Sequence, residues 1–267
     1  MITPFKRGHR RMVLLALASI AILTPVLRAG AQTITPQLGD LILGFRATGG
    51  VGSTLNLEVD LGSISNFYNA TGSFALPALA LQDLVDAYGS SWSTRTDLVW
   101  GAVATIGRAN GTPDNHAPTA TLWATAPGGQ PAWDRHSSSS QKNASSSIES
   151  IFVPGSEGTL YGQTPTSNSA SAAIITASLA GSWSSGDLKS VGTSFGYFNP
   201  TIDGAVSNGP SVLELYELQP GSGAGTELGQ LVLTPSDLSF VAVPEPSTVA
   251  LVAIGVASVV LLRRRRT

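Results

Sequence analysis

The 267-residue chain has no cysteine, only three histidines and only two methionines. Without cysteine there are no disulfides, no thiolate metal sites, no cysteine nucleophile and no lipidated cysteine to hold the chain at a membrane. Stability must therefore rest on an ordinary apolar core. Cations are scarce over most of the length. Of the fifteen Lys and Arg, five lie at the start (Lys6, Arg7, Arg10, Arg11, Arg28) and four at the end (Arg263, Arg264, Arg265, Arg266). Six remain between them against seventeen carboxylates, a net charge of −11 with the histidines neutral. That balance argues against a nucleic-acid partner, because phosphate binding needs clustered Lys and Arg. Long apolar runs are missing too, except for one near each end.

The first of these lies in "MITPFKRGHRRMVLLALASIAILTPVLRAGAQ". A basic segment from Lys6 to Arg11 precedes an apolar segment from Met12 to about Leu23, then Pro25 and the small residues Ala29, Gly30 and Ala31. This order predicts a secretory signal helix over residues 1–31, cut between Ala31 and Gln32 with Ala29 and Ala31 as the small recognition residues. The alternative is an uncleaved N-terminal anchor. The expected partners at this end are an export translocase and a signal peptidase.

The second lies in "VAVPEPSTVALVAIGVASVVLLRRRRT". Its apolar part, Val249 to Leu262, is fourteen residues long. As a helix it covers about 21 Å, against a hydrocarbon core of about 30 Å. It is a short transmembrane helix, lengthened by Pro246 to Thr248 on one side and by the snorkelling stems of Arg263 and Arg264 on the other. The cluster Arg263 to Arg266 favours the cytoplasmic side, which leaves the body outside. Just before the helix, Val243, Pro244, Glu245 and Pro246 form a stiff strap, since two prolines fix φ and push their predecessors towards extended structure. The order of strap, short helix and arginine cluster resembles the PEP-CTERM sorting signal of Gram-negative bacteria. The resemblance covers residues 243–267. It implies an exosortase as the processing partner, recognition through Pro244, Glu245 and Pro246, transient membrane contact through the helix, and removal of that helix. It implies nothing about the body.

Residues 32–242 form the expected exported domain, rich in Gly, Ser, Thr and Ala. "DLILGFRA" (Asp40 to Ala47) and "STLNLEVDLG" (Ser53 to Gly62) alternate around "TGGVG" and predict a hairpin with one buried face. In the second run Leu55, Leu57, Val59 and Leu61 share the apolar face, and Asn56, Glu58 and Asp60 share the solvent face. Further strands are predicted over 96–107, 119–126, 172–180, 193–198, 211–218 and 229–243. A helix is predicted around Leu79 to Tyr88, stopped by Gly89. The serine-rich stretch Arg135 to Ser147 reads as a surface loop, with a second helix over Gln141 to Phe152 as the alternative. The fold class is mainly β, an antiparallel β-sandwich-like ectodomain with one or two short helices, flanked by the signal helix and the transmembrane helix.

Catalytic signatures are wanting. There is no HExxH, no GxSxG elbow, no phosphate-binding Gly-Lys loop and no EF-hand loop. Asp114 with His116, and Asp134 with His136, each offer two ligands where a stable zinc site needs three or four, so both histidines are expected to be solvated. Glu58 with Asp60, and Asp83 with Asp86, are expected as solvated carboxylates rather than glycosidase acids. No cofactor, metal or catalytic residue is assigned. Five tryptophans lie in the body; Trp100 and Trp123 interrupt strands and read as core. Trp133 and Trp183, flanked by Pro, Gly and Ser, read as exposed, and are the candidates for stacking on sugar rings. The reading is a noncatalytic structural or adhesive protein, tethered at the inner membrane before reaching the cell surface or extracellular polymer. The alternative is a secreted carbohydrate-binding or carbohydrate-active protein acting on exopolysaccharide.

Overall fold

The computed structural model describes residues 36–112, 114–130, 133–152, 171–178, 182–184, 202–206 and 208–243, without the side chains of 150–152. Ala29, Ala31, Gln32, Pro244 to Pro246, Arg263 to Arg266, both predicted membrane helices and the strand predicted over 193–198 lie outside the described residues.

Ten strands form one sheet: β1 (Asp40–Ala47), β2 (Leu55–Ser63), β3 (Ser73–Ala75), β4 (Leu98–Thr105), β5 (Leu122–Pro127), β6 (Ala172–Thr176), β7 (Gly204–Ala205), β8 (Ser211–Leu218), β9 (Thr226–Leu233) and β10 (Leu238–Ala242). Their order is β3-β10-β9-β8-β5-β4-β1-β2-β6, with β7 alongside β4, and every pairing is antiparallel. The mainly β, antiparallel class is as predicted, but the two stacked sheets of a sandwich are replaced by a single curled one. The short helix α1 (Ser65–Tyr68) touches both β2 and β9, which stand far apart in the strand order, so the sheet must bend around to bring them together. Phe67 of α1 meets Phe240 of β10 edge-on, with ring centroids 5.1 Å apart.

The alternation rule of a pleated strand sends odd and even residues to opposite faces, and here both faces are covered. Leu41, Leu43 and Phe45 of β1, Leu57 and Val59 of β2 and Trp100 of β4 belong to one large core on the concave side. The helix α2 (Leu81–Tyr88) fills that side with Leu84, Ala87 and Tyr88. It stops at Gly89, whose φ of 88° suits a residue without Cβ, as the sequence predicts. The Tyr88 hydroxyl is fully enclosed. It accepts the Leu57 N–H at 3.0 Å and donates to the Phe45 carbonyl at 2.7 Å, bridging β1 and β2 between paired residues.

The convex side carries a second core, with Ile42, Val103, Leu122, Ala124, Tyr216 and Leu218 under a third helix. That helix, α3 (Ser138–Phe152), overturns the loop expected over Arg135 to Ser147. Gln141, Ala144, Ser145 and Ile148, spaced as one helical stripe, are all buried. Their small or amide side chains let the helix lie close and meet some of the polar groups beneath it, though Gln141 Oε1 is left without a partner among the described residues. Ser145 Oγ meets Thr105 Oγ1 at 2.7 Å, and Gln141 Nε2 donates to the Leu218 carbonyl at 3.0 Å. Serine content alone hides this, because hydroxyls that bond across an interface read as polar in a sequence.

Candidate functional site

At one end of the concave side, α1 and the loop between β4 and β5 build a polar and aromatic cluster. Tyr68 stacks on His116 with centroids 3.9 Å apart and planes 4° from parallel. The Tyr68 hydroxyl donates to Asp114 Oδ2 at 2.8 Å, and Asp114 Oδ1 also accepts the His116 backbone N–H at 3.1 Å. Asn115, at φ 57°, turns the chain tightly enough to put Asp114 and His116 on the same tyrosine. On the far side of the imidazole, His116 Nε2 lies 2.7 Å from Glu217 Oε2, which also receives the Trp123 indole N–H at 3.3 Å. Gln219 Nε2 donates to Glu217 Oε1 at 2.6 Å.

The electrostatics follow from these contacts. Hydrogen bonds from Thr112, Tyr68 and the His116 backbone hold the Asp114 carboxyl down at about 2, so it is anionic in any neutral medium. Desolvation and the Asp114 partner push the Tyr68 hydroxyl up to about 12, so it stays a donor. His116 is the exposed loop residue that its sequence context predicts, but its ring is engaged: one face stacks on Tyr68 and its Nε2 lies against Glu217. Beside the cluster lies a cavity of about 280 Å³, bounded by Ser63, Ser65, Tyr68, Ile106, Thr112 and Asp114 among others. It offers hydroxyls and one carboxylate, with Tyr68 in its wall. Among the described residues no Ser or Thr hydroxyl bonds to His116, so the arrangement lacks a nucleophile joined to its base. Nor do the described residues contain a group of three or more His, Asp or Glu placed to hold a metal ion.

A second cluster lies on the convex side of β2. Glu58, expected on a solvent face, is 1% exposed, and Asn56 beside it is fully buried. What covers them is the segment at Ser182 to Ser184, remote in sequence and therefore invisible to a strand-by-strand reading. Glu58 Oε1 accepts the Trp183 backbone N–H at 2.6 Å, and the Asn56 amide donates to Ser184 Oγ at 2.8 Å while its oxygen accepts the Ser184 N–H at 2.8 Å. Burial pushes the Glu58 carboxyl up to about 8, the single donated N–H only partly opposing it. Asp60 is half-buried and accepts the Gly62 N–H at 2.8 Å. Asp83, also expected in solvent, is fully buried, while Asp86 takes a hydrogen bond from Gln82 at 2.7 Å.

The two tryptophans singled out for sugar stacking are corrected as well, since both are buried. Trp133 is 1% exposed, its indole N–H bonded to the Thr125 carbonyl at 3.0 Å. Trp183 is 4% exposed; its ring lies over Gly44 and its N–H reaches Asp203 Oδ1 at 3.0 Å. For Trp183 it is the glycine on the strand beneath, Gly44, that leaves room for the ring. Neither ring face is open to a polymer. Trp100 and Trp123 are fully buried, as predicted.

Of the sorting residues, Val243 is the one described. It is 40% exposed and its N–H donates to the Leu228 carbonyl at 3.0 Å, directly after β10. Among the described residues no helix is long and apolar enough to cross a membrane. Residues 242–266 match the PEP-CTERM protein-sorting motif. The motif implies an exported protein that an exosortase sorts, passing by way of the membrane. No curated protein and no solved structure matches the chain.

Proposed function

We propose that the chain is an exported passenger, inserted by the segment 1–31 through a translocase, trimmed after Ala31 by a signal peptidase, and held at the inner membrane by the helix over 249–262. An exosortase then reads Pro244, Glu245 and Pro246 and removes the tail. The body, residues 32–242, passes to the cell surface or extracellular polymer, where its role is structural or adhesive and noncatalytic. The observation carrying this reading is the position of the motif. It starts at Ala242, the last residue of β10, so the sorting signal follows directly on a strand of the described sheet. Intact mass of the mature protein from cells with and without the exosortase tests it. The expected result is loss of the arginine cluster only where the enzyme is present, and only with the Pro-Glu-Pro strap intact; a terminal "RRRRT" in both strains overturns it.

The second reading, a carbohydrate-binding or carbohydrate-active protein, is favoured by the cavity beside Tyr68. Its hydroxyls, its carboxylate and the aromatic wall are the groups that take a hydroxylated ring. Binding of purified exopolysaccharide to the protein, lost on Tyr68→Ala, supports that reading; turnover of the polymer would add catalysis, and no binding to either variant removes it.

A further inference from the structure

Strand direction fixes which end of the body the sorting tail leaves from. Five antiparallel steps lead from β10 through β9, β8, β5 and β4 to β1. After an odd number of reversals the start of β1 stands at the same sheet end as the finish of β10. That end also carries α1, the β8–β9 connection at 219–225 and the cavity beside Tyr68. The opposite end carries the β1–β2 connection at 48–54 and the β9–β10 turn at 234–237.

The tether is short against the body. Between Val243 and the apolar run from Val249 lie five residues, 244–248, which reach at most about 18 Å fully extended. An eight-residue strand such as β1 or β8 is itself about 27 Å long. A body attached through that strap cannot turn its opposite end to the bilayer while the tail is embedded. We infer that the sheet end shared by the start of β1 and the finish of β10 is the membrane-apposed end of the body, and that the cavity beside Tyr68 faces the lipid surface until the tail is cut. The inference rests on the tail being embedded, as in the sorting reading. It couples access to the cavity with processing: large ligands reach it only after release.

The absence of cysteine makes the test clean, since one introduced thiol is the sole labelling site. The full chain is reconstituted in phosphatidylethanolamine and phosphatidylglycerol vesicles containing a headgroup spin-labelled lipid. A fluorophore is attached through Asn66→Cys or Ser222→Cys at the tail end, Val51→Cys or Ser236→Cys at the opposite end, or Ser258→Cys within the apolar run. The expected result is strong quenching of the Ser258→Cys probe, quenching of both tail-end probes several-fold above both opposite-end probes, and loss of that difference once the tail is removed. Equal quenching at the two ends, with the tail probe quenched, overturns the inference and leaves the sorting reading standing. An unquenched tail probe overturns both.

Discussion

The two faces of the curled sheet are built by different rules. The concave face is packed mainly by aliphatic and aromatic residues from neighbouring strands and from α2, with Asp83, Ser211 and Glu217 among its buried polar groups. The convex face mixes apolar residues with Asn56, Glu58, Thr105, Gln141 and Ser145, all buried. Burying such polar groups is costly unless partners meet them; here most partners come from α3 and from Ser182 to Ser184, while Glu58 Oε2 and Gln141 Oε1 stay buried without one among the described residues. The first face is a core in the ordinary sense. The second is a seam closed by added cover, where hydrogen bonds and a carboxyl raised by burial stand beside the apolar contacts.

Four measurements can break or sharpen that contrast, each made on the full chain in mild detergent by urea unfolding. The largest effect belongs to the concave face. Trp100 is fully buried, stacked near Phe45 at 6.0 Å and bonded to Ser211 Oγ at 2.8 Å. Trp100→Ala should cost about 3–5 kcal/mol; a loss below about 1 kcal/mol would show that this core is loosely packed. Next comes the pH dependence of the convex face. Glu58 is ordinary at 4.5 when unfolded but about 8 when folded, so the folded state holds a proton that the unfolded state has released. Stability should then be complete below pH 4.5 and fall as pH rises towards 8, by up to about 1.4 kcal/mol per pH unit. Glu58→Gln should flatten that slope, leaving the smaller same-signed contributions of Asp40, Asp60 and Glu227. An unchanged slope would remove Glu58 as its source.

A smaller effect is expected beneath the cover itself. A Cβ on Gly44 would stand 1.9 Å from the Trp183 ring. Gly44→Ala should lift the indole and cost about 1–3 kcal/mol. Relative to the parent, the emission should shift to the red with no change in far-ultraviolet circular dichroism; a blue or absent shift would mean the ring is not seated there. The smallest belongs to the cluster at the sheet end. Tyr68→Phe removes one hydrogen bond to an exposed carboxylate and should leave the urea midpoint nearly unchanged. The Asp114 titration, followed by carbon-detected magnetic resonance, should move up from about 2.

The contrast also accounts for what a sequence reveals. Strand β1 matches its predicted bounds, and β8 does as well, because alternation within a strand reports the concave face directly. The predicted run 229–243 resolves into the end of β9 and all of β10, separated by Thr234 to Asp237, where Pro235 and hydroxyl bonds to Asp237 turn the chain. The strands β3 and β7 are too short to carry a pattern, being three and two residues. Glu58, Trp133 and Trp183 were illegible for another reason. Their burial is conferred by cover that is distant in sequence, and local composition holds no record of it. At the sheet end, Asp114 and His116 could be noticed together in "PDNHAP", but Tyr68 and Glu217 stand 46 and 101 residues from those two, and only the curl unites them.

The place of β10 has a consequence for processing. This strand is paired on both sides, to β9 and to β3, and it carries Phe240 into the concave core. Trimming that reached back past Val243 would take away the Leu228 and Gly72 bonds at its end, then the partner that β3 needs to stay in the sheet. If an exosortase trims the tail as proposed, a body that keeps the β10 pairings keeps everything through Val243, and the cut falls after that residue.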